Sequence, residues 1–193
     1  MIIGVTGGIA SGKTAVSKYL EAKGYPVIDA DVIAREIMTP NSNALASIRK
    51  QFGEAYINED GTLNRGQLAS LIFHDESARE RLNAITYPAI KKRAEDQIKS
   101  LQVEPIIVLV VPMLYESGMD RLCDDVWLIQ TDESVRRIRL SERDGIDLAY
   151  AQCKIEAQVK NQIGAATSTM KVLNNNGDLE GLYQQIESFL KKY

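Results

Sequence analysis

Apolar and polar positions alternate in short blocks over the first thirty residues of the chain. An apolar run at 2–6 ends in glycines and predicts a buried parallel strand. Apolar residues at helical spacing over 13–23 predict a helix, which Gly24 is placed to cap. A second short apolar run follows at 26–28. Strand, helix and strand in this order predict a right-handed βαβ unit.

The alternation resumes after a long helical interruption. Residues 31–101 hold helical patterns broken near 40–42, near 58–61 and at 86–88, where Pro88 is expected to end a helix. Beyond them the pattern predicts strands at 106–111, 126–129 and 171–173, and helices at 133–143, 148–163 and 179–190. We therefore predict an α/β fold, a doubly wound parallel five-stranded sheet with a helical insertion after its second strand.

Composition narrows the function classes. The 193 residues carry 23 Lys and Arg against 26 Asp and Glu, and this net charge of −3 argues against a general nucleic-acid binder. No signal-peptide pattern is present, and the apolar run at 106–111 is far shorter than the about 20 residues that cross a bilayer. Two distant cysteines and one histidine do not make a zinc centre and favour reduced thiols. We expect a cytoplasmic protein without nucleic-acid or membrane partners.

The strongest chemical signal lies between the first strand and the first helix. Residues 7–14 read Gly-Gly-Ile-Ala-Ser-Gly-Lys-Thr and fit the phosphate-loop pattern G-x-x-x-x-G-K-[ST]. Glycines let such a loop turn closely, so that its amide groups and the helix N-terminus form an anion cradle. The lysine then binds the β- and γ-phosphates, and the hydroxyl binds Mg²⁺. The predicted nucleotide-binding residues are Gly8, Ile9, Ala10, Ser11, Gly12, Lys13 and Thr14, of which Thr14 is also the predicted metal ligand.

A phosphate loop alone does not name a reaction, because GTPases, ATPase motors and small-molecule kinases share it. A glycine-rich turn without a ligand is a further alternative, which the position of the loop and its Lys13 and Thr14 disfavour. Residues 178–181 match the DxxG motif of GTPases, but they begin the last predicted helix and no NKxD motif follows. No acidic residue ends the 106–111 strand, which disfavours an ATPase motor. These exclusions favour a small-molecule kinase that uses ATP.

Two carboxylates follow the second predicted strand. Asp29 and Asp31 lie at the carboxyl edge of the sheet, where ligands bind in open α/β folds, and they share a face of an extended chain. One of them is placed to accept the proton of an attacking hydroxyl, and the other to orient Mg²⁺ through water. The alternative is that Asp31 only caps a helix that begins at Val32. The neighbouring phosphate loop favours the functional interpretation.

The densest basic segment is the predicted helix at 136–143. Arg136, Arg139 and Arg143 fall on one helical face, where their guanidinium groups are suited to binding phosphate oxygens in pairs. Such a face stabilises charge that develops on a transferred phosphoryl group. A solvated surface helix, balanced by acidic neighbours, is an equally good interpretation from these residues alone.

Taken together, these segments resemble the dephospho-CoA kinase family over nearly the whole chain. The resemblance rests on the loop at 6–14 and on Val-Ile-Asp-Ala-Asp at 27–31 with Ala-Arg at 34–35. It continues in segments 61–65, 71–73, 111–116 and 175–177, and in Arg139, Arg143 and Gln158. The set is much more specific than the phosphate loop alone.

The resemblance implies that the γ-phosphoryl group of ATP is transferred to the ribose 3′-hydroxyl of dephospho-CoA, the last step of coenzyme A synthesis. It implies that Asp31 is the general base, which leaves Asp29 as the residue that orients Mg²⁺ through water. Arg139 and Arg143 would lie in or beside a lid, and Asn175 among the nucleotide contacts. The implied organisation of the single chain, 1–193, is a nucleotide-binding core of 1–30, 103–134 and 164–193, an acceptor-binding insertion of 31–102 and a lid of 135–163. We expect a monomer or a weak homo-oligomer.

The chain departs from the pattern of the family in three places. Asn64 stands where the family usually has Asp, Tyr87 stands where it usually has His, and Thr169 and Met170 replace an Ala-Asp pair. These departures leave a second hypothesis open, a P-loop kinase whose acceptor is a nucleoside or nucleoside monophosphate. A third is a regulatory protein that binds ATP without catalysis, which intact Lys13, Thr14 and Asp31 disfavour.

Overall fold

The computed structural model describes residues 1–159 and 170–193. Five strands form one parallel sheet: β1 (Ile2–Gly7), β2 (Val27–Asp29), β3 (Ile107–Val110), β4 (Asp125–Gln130) and β5 (Lys171–Asn174). Their order across the sheet is β2-β3-β1-β4-β5. The predicted doubly wound α/β sheet is confirmed, because β1 lies at the centre and the chain crosses to either side of it.

Eight helices lie in the described part of the chain. They are α1 (Lys13–Ala22), α2 (Ala30–Glu36), α3 (Asn43–Phe52), α4 (Arg65–His74), α5 (Glu76–Ser100), α6 (Glu133–Asp144), α7 (Leu148–Val159) and α8 (Leu179–Leu190). Short 3₁₀ turns at Glu54–Tyr56 and Asp120–Leu122 complete the elements. The predicted end of α7 near residue 163 lies outside the described residues.

The chain divides into two compact units, and the first comprises residues 1–28 and 101–193. Its core lies between one sheet face and helices α1 and α8, and contains Ile3, Trp127 and Leu173. All four residues of β3 are buried, as its unbroken apolar sequence predicts for a central parallel strand. Burial of these strands fixes their carboxyl ends at one edge, from which the phosphate loop leaves β1.

The second unit comprises residues 29–100 and contains α2 to α5. Its core includes Leu45, Ile48, Leu63 and Leu68. The predicted turn at 58–61 is present, since the Gly61 amide donates to the Asn58 carbonyl at 2.9 Å. An antiparallel bridge between Ile57 and Leu63 flanks this turn. The largely helical character predicted for this stretch matches the observed elements.

The predicted helix break at Thr86-Tyr87-Pro88 is wrong. Helix α5 runs through Pro88 from Glu76 to Ser100. Proline removes one backbone donor and disfavours a helix interior, but here the buried Thr86, Ile90 and Ala94 hold the helix on both sides of it. Tertiary packing therefore overrides the local preference, as it does for many helices. The actual break falls earlier, at Asp75, which accepts a hydrogen bond from the Ala78 amide at 3.0 Å.

No helix in the described parts of the chain is both long and apolar enough to cross a membrane. The thiols of Cys123 and Cys153 are both free, as their separation in the sequence predicts. Burial raises the pKa of the Cys123 thiol to about 12. That thiol is therefore protonated at neutral pH and is packed against Gly4, where a Cβ would come within 2.6 Å of its sulfur.

A polar cluster ties the C-terminal Tyr193 to the sheet. Asp125 accepts hydrogen bonds from the Tyr193 hydroxyl and from Lys171 Nζ, the latter at 2.6 Å. Burial raises the pKa of Asp125, but these hydrogen bonds outweigh it and hold the pKa below its usual value. The ionised carboxylate therefore stabilises the fold at neutral pH, and this stabilisation is lost as the pH falls through the lowered pKa.

We expect Asp125→Asn to lower the free energy of unfolding by about 1–2 kcal/mol at pH 7, since a neutral amide accepts weaker hydrogen bonds. Urea unfolding measured between pH 7 and pH 2.5 checks this. The difference between the native protein and the variant should shrink as the native carboxyl becomes protonated. A difference that stays constant over this range would contradict the role given to the charge of Asp125.

Candidate active site

The phosphate loop joins β1 to α1 and has the tight backbone that its sequence predicts. The Ser11 amide donates to the Gly8 carbonyl at 3.1 Å, which closes a turn inside the loop. Ala10 and Gly12 have φ of 58° and 106°, in the left-handed region. Gly12 is also the N-cap of α1, so the loop delivers the chain directly into the helix. The geometry is that of a backbone cradle beside the positive end of a helix dipole.

Lys13 and Thr14 open helix α1 at the rim of this loop. The Lys13 ammonium donates to the carbonyls of Gly7 at 2.8 Å and Gly8 at 3.0 Å, so its charge is held over the loop. Thr14 is exposed in the first turn of the helix. A cation and a hydroxyl at one helix N-terminus are the two groups that phosphate loops use on a nucleotide and its metal ion.

The loop is supported from behind by two other loop segments of the first unit. The Ser11 carbonyl accepts hydrogen bonds from the Thr131 hydroxyl at 3.0 Å and from the Asn175 side-chain amide at 2.7 Å. Asn175 is buried, and its backbone amide donates to Gln130 at 2.9 Å. The predicted nucleotide-binding residue Asn175 therefore lies directly against the loop. Thr131 is a support that the sequence patterns missed, because a single threonine after a strand carries no motif.

Two side-chain oxygens in this region are buried without a hydrogen-bond partner in the described residues. They are Ser11 Oγ and Asn175 Oδ1. Unpaired buried polar atoms are uncommon in proteins, because each one costs roughly 1–3 kcal/mol. Their position beside the phosphate loop is consistent with a polar ligand or water at this site.

Helix α6 brings its arginines to three different positions. Arg139 Nη1 donates a hydrogen bond to the Asn175 carbonyl at 3.0 Å. It therefore stabilises the segment around Asn175, which in turn contacts the phosphate loop. Arg136 is largely buried and lies against Gly8, where its Nη1 would collide with an added Cβ. Arg143 pairs with Asp144 at 2.8 Å and its side chain is 59 % exposed. The shared face that the spacing predicts therefore places Arg136 and Arg139 at the loop region and Arg143 at the helix end.

A residue of α7 completes the surroundings of the loop. Gln158 Oε1 accepts a hydrogen bond from the Ile9 amide. The side chains of Ile9 and Ala10 pack against a buried cluster of Leu140 and Ile155 that joins α6 to α7. The tip of the loop is thus covered by both helices. The resemblance to the family includes Gln158 but gives it no role, and nothing in its local pattern relates it to a loop 149 residues away.

Both carboxylates, Asp29 at the end of β2 and Asp31 in α2, belong to the second unit. Asp29 caps α2: its Oδ1 accepts from the amides of Asp31 at 2.8 Å and Val32 at 3.4 Å. The alternative that Asp31 is the cap is therefore wrong, because α2 begins at Ala30, before the predicted start. Asp31 lies exposed in the first helical turn.

The residues that depart from the family pattern have different surroundings in the structure. Asn64 caps α4 by accepting from the Gln67 amide at 3.1 Å, a role in which Asn and Asp are equivalent. Tyr87 is half-buried in α5. Met170 lines a cavity beside Gly7 and accepts a hydrogen bond from the Tyr115 hydroxyl at 2.8 Å. Thr169 lies outside the described residues.

Gly12 offers a sharp test of the loop geometry. We expect Gly12→Ala to weaken ATP binding at least about tenfold, because a Cβ there strains a left-handed backbone and collides with the Asn175 amide group. Calorimetric titration with ATP measures the effect. Gly24→Ala is the matched control, since Gly24 has a φ of 91° but no atom near its Cβ position. Equal losses in both variants would contradict the importance of the Gly12–Asn175 contact.

Comparison with known proteins, like the geometry of the loop, relates this chain to kinases. Residues 1–180 match the family model described as dephospho-CoA kinase. Dephospho-CoA kinase of Shouchella clausii is 41 % identical over 194 residues, covering 100 % of this chain and 98 % of the relative. The enzyme of the same name from Geobacter sulfurreducens is 42 % identical over 193 residues, covering 99 % and 98 %. A solved structure from Thermus thermophilus superposes with a TM-score of 0.80 at 28 % identity, covering 100 % of this chain and 97 % of that one.

Proposed function

The chain belongs to the dephospho-CoA kinase family, whose members are ATP-dependent transferases that phosphorylate dephospho-CoA in the last step of coenzyme A synthesis. We propose the following roles for its residues in this reaction. Residues 8–14 bind the phosphates of ATP, and Asp31 removes the proton of the ribose 3′-hydroxyl. The observation that carries the proposal is the ammonium of Lys13 held over the backbone cradle of the loop. Such an arrangement places fixed positive charge where an anion binds.

Lys13 and the loop amides act on the transferred group. When ATP enters, the Lys13 ammonium exchanges its contacts with the Gly7 and Gly8 carbonyls for contacts with β- and γ-phosphate oxygens. The loop amides and the N-terminus of α1 bind the remaining phosphate oxygens. Because these donors are held in place by Thr131 and Asn175, little reorganisation is required during the reaction.

The residues present fit a magnesium ion held mainly by its substrate. Within residues 1–159 and 170–193 no group of three or more His, Cys, Asp or Glu side chains is arranged to hold a metal. Mg²⁺ in kinases needs no such group, because it keeps several waters and binds through phosphates and one or two protein oxygens. Thr14 would supply the hydroxyl ligand, and Asp29 would contact a bound water. The ion neutralises charge on the phosphates.

Asp31 acts on the acceptor. The 3′-oxygen attacks the γ-phosphorus, its proton passes to the Asp31 carboxylate, and the bond to the bridging oxygen of ADP breaks. An exposed carboxylate in the first turn of α2, a helix that Asp29 caps, suits this proton transfer. The catalytic set is thus Lys13 and Asp31, with the arginines of α6 contributing charge.

In this proposal residues 135–163 form a lid, which includes most of α6 and all of α7. In this proposal Arg139 and Arg143 neutralise charge on the transferred group and help to exclude water, which limits hydrolysis of ATP, and Arg143 exchanges its contact with Asp144 for this role. Residues 1–30, 103–134 and 164–193 form the nucleotide-binding core, and residues 31–102 bind the acceptor. The contact of Arg139 with the Asn175 carbonyl supports a role of α6 near the nucleotide, since it connects this helix to the segment beside the phosphate loop.

An acceptor panel tests the function. We expect ADP release, followed with a coupled enzyme assay, to rise at least about a hundredfold when dephospho-CoA is added to the protein with ATP and Mg²⁺. Nucleosides and nucleoside monophosphates at the same concentration should give less than a tenth of that rate. Turnover with dephospho-CoA no greater than without an acceptor, or a preference for a nucleoside monophosphate, would overturn the proposal.

A further inference from the structure

One peptide group of the phosphate loop, between Gly8 and Ile9, is held from both of its ends. Its carbonyl accepts hydrogen bonds from the Ser11 amide at 3.1 Å and from Lys13 Nζ at 3.0 Å. Its N–H donates to the side-chain oxygen of Gln158 in α7. The orientation of this peptide therefore decides where a carbonyl is offered to the Lys13 ammonium.

A second contact restrains the same peptide from α6. The guanidinium of Arg136 lies against Gly8, and it leaves no room for a side chain at that position. The Arg136 side chain is only 12 % exposed and its Nε has no hydrogen-bond partner in the described residues. Its Nη2 lies 4.0 Å from the Glu133 carboxylate, so a largely buried cation that is paired on one side packs its other side against Gly8. Both restraints come from helices that share one buried cluster with Ile9.

We propose that Gln158 is a positioning residue, which acts through Lys13 by fixing the Gly8–Ile9 peptide. While Gln158 accepts a hydrogen bond from the Ile9 amide, the carbonyl of Gly8 faces Lys13 and holds the ammonium over the phosphate-binding loop. Without this acceptor the peptide is held only through its carbonyl, by the Ser11 amide and Lys13, and its orientation toward the ammonium is less well fixed. The proposal rests on the role given to Lys13 in the proposed function.

Packing alone does not account for this contact. The cluster of Leu140, Ala151 and Ile155 already joins α6, α7 and the loop through apolar side chains. A glutamine adds a directed hydrogen bond to a single backbone amide, which is specific for orientation and contributes little apolar burial. The consequence is an effect on the reaction that exceeds any effect on the stability of the fold.

The test compares three variants of the full-length protein. Gln158→Leu removes the acceptor oxygen and keeps a side chain of similar size. Gln158→Glu keeps an acceptor oxygen but places a negative charge beside the cradle. Gln152→Leu is the control on the same helix, because the Gln152 amide donates to Glu133 at 2.6 Å and Glu156 at 3.0 Å and does not bond to the loop.

The first readout is hydrogen exchange of the Ile9 amide, followed by NMR in the ¹⁵N-labelled protein without nucleotide. We expect exchange to become at least about tenfold faster in Gln158→Leu and to stay within about twofold of the native rate in Gln158→Glu and Gln152→Leu. Melting temperatures of the variants identify any general loss of structure. Unchanged exchange in Gln158→Leu would overturn the proposal, whatever the activity of the protein.

The second readout separates binding from turnover with ATP and dephospho-CoA. We expect kcat to fall about tenfold in Gln158→Leu, with the KM for dephospho-CoA within about twofold of native. Gln158→Glu should retain more of kcat but raise the KM for ATP, since its charge repels phosphates. A native kcat in Gln158→Leu would contradict the positioning role. Absence of turnover in the native protein would instead contradict the proposed function, and the exchange measurement would still decide the role of Gln158.

Discussion

Asp31→Asn is expected to lower kcat by about 10²- to 10⁴-fold, the usual contribution of a general base. The amide of asparagine is nearly identical in size to the carboxylate but does not accept the proton of the attacking hydroxyl. Since Asp29 and not Asp31 caps α2, the helix start is preserved in the variant. ATP affinity should therefore stay within about twofold of native, because no phosphate contact is assigned to Asp31.

Steady-state kinetics with dephospho-CoA and calorimetric titration with ATP measure the two expectations separately. Asp75→Asn is the matched control: Asp75 is a partly exposed carboxylate that caps a helix by accepting from the Ala78 amide, and asparagine caps equally well. It should leave kcat within about twofold of native. A native kcat in Asp31→Asn would reduce Asp31 to a surface residue.

Lys13→Met is the second variant with a large expected effect. We expect kcat to fall by about 10²- to 10³-fold, the range seen when one preorganised charge or donor is removed from a phosphoryl or oxyanion site. Methionine retains much of the length of the lysine side chain but loses the ammonium that contacts the carbonyls of Gly7 and Gly8. ATP affinity should fall as well, since the same charge contacts the bound phosphates.

The control for this variant is Lys18→Met, which removes a charge from an exposed position on the same helix. It alters the net charge equally and should change kcat and ATP affinity less than twofold, because exposed charges contribute little at this distance in salt. If both variants lose activity alike, the effect would be one of net charge, and the placement of Lys13 over the cradle would not explain it.

The sequence could predict those parts of the site whose residues are neighbours along the chain. The loop, Lys13 and Thr14 form one continuous motif between a strand and a helix, so spacing alone places them. The sheet could be predicted for the same reason, since the fully apolar β3 admits few other placements in a fold of this size. The capping residue of α2 was harder to predict. Either Asp29 or Asp31 has a side chain that can cap a helix, and only the extended backbone of Asp29 shows that it is the N-cap.

Local sequence patterns could not predict contacts between residues that are far apart in the chain. Gln158 and Thr131 reach the loop because helices and strands pack together, and neither residue type is unusual at its position. The break expected at Pro88 failed for a related reason, because neighbouring helices hold α5 straight through it. The arginine spacing on α6 predicts one shared face, but it did not reveal that Arg136 and Arg139 contact the loop region while Arg143 pairs with Asp144.

Transfer of label from γ-³²P-ATP tests the central claim most directly. The native protein is incubated with Mg²⁺ and either dephospho-CoA or its 3′-deoxy analogue, and the products are separated. We predict one labelled phosphate per dephospho-CoA, located on the ribose 3′-oxygen, and no labelled product from the analogue. Label in the analogue, or label recovered only as inorganic phosphate with dephospho-CoA present, would contradict the account.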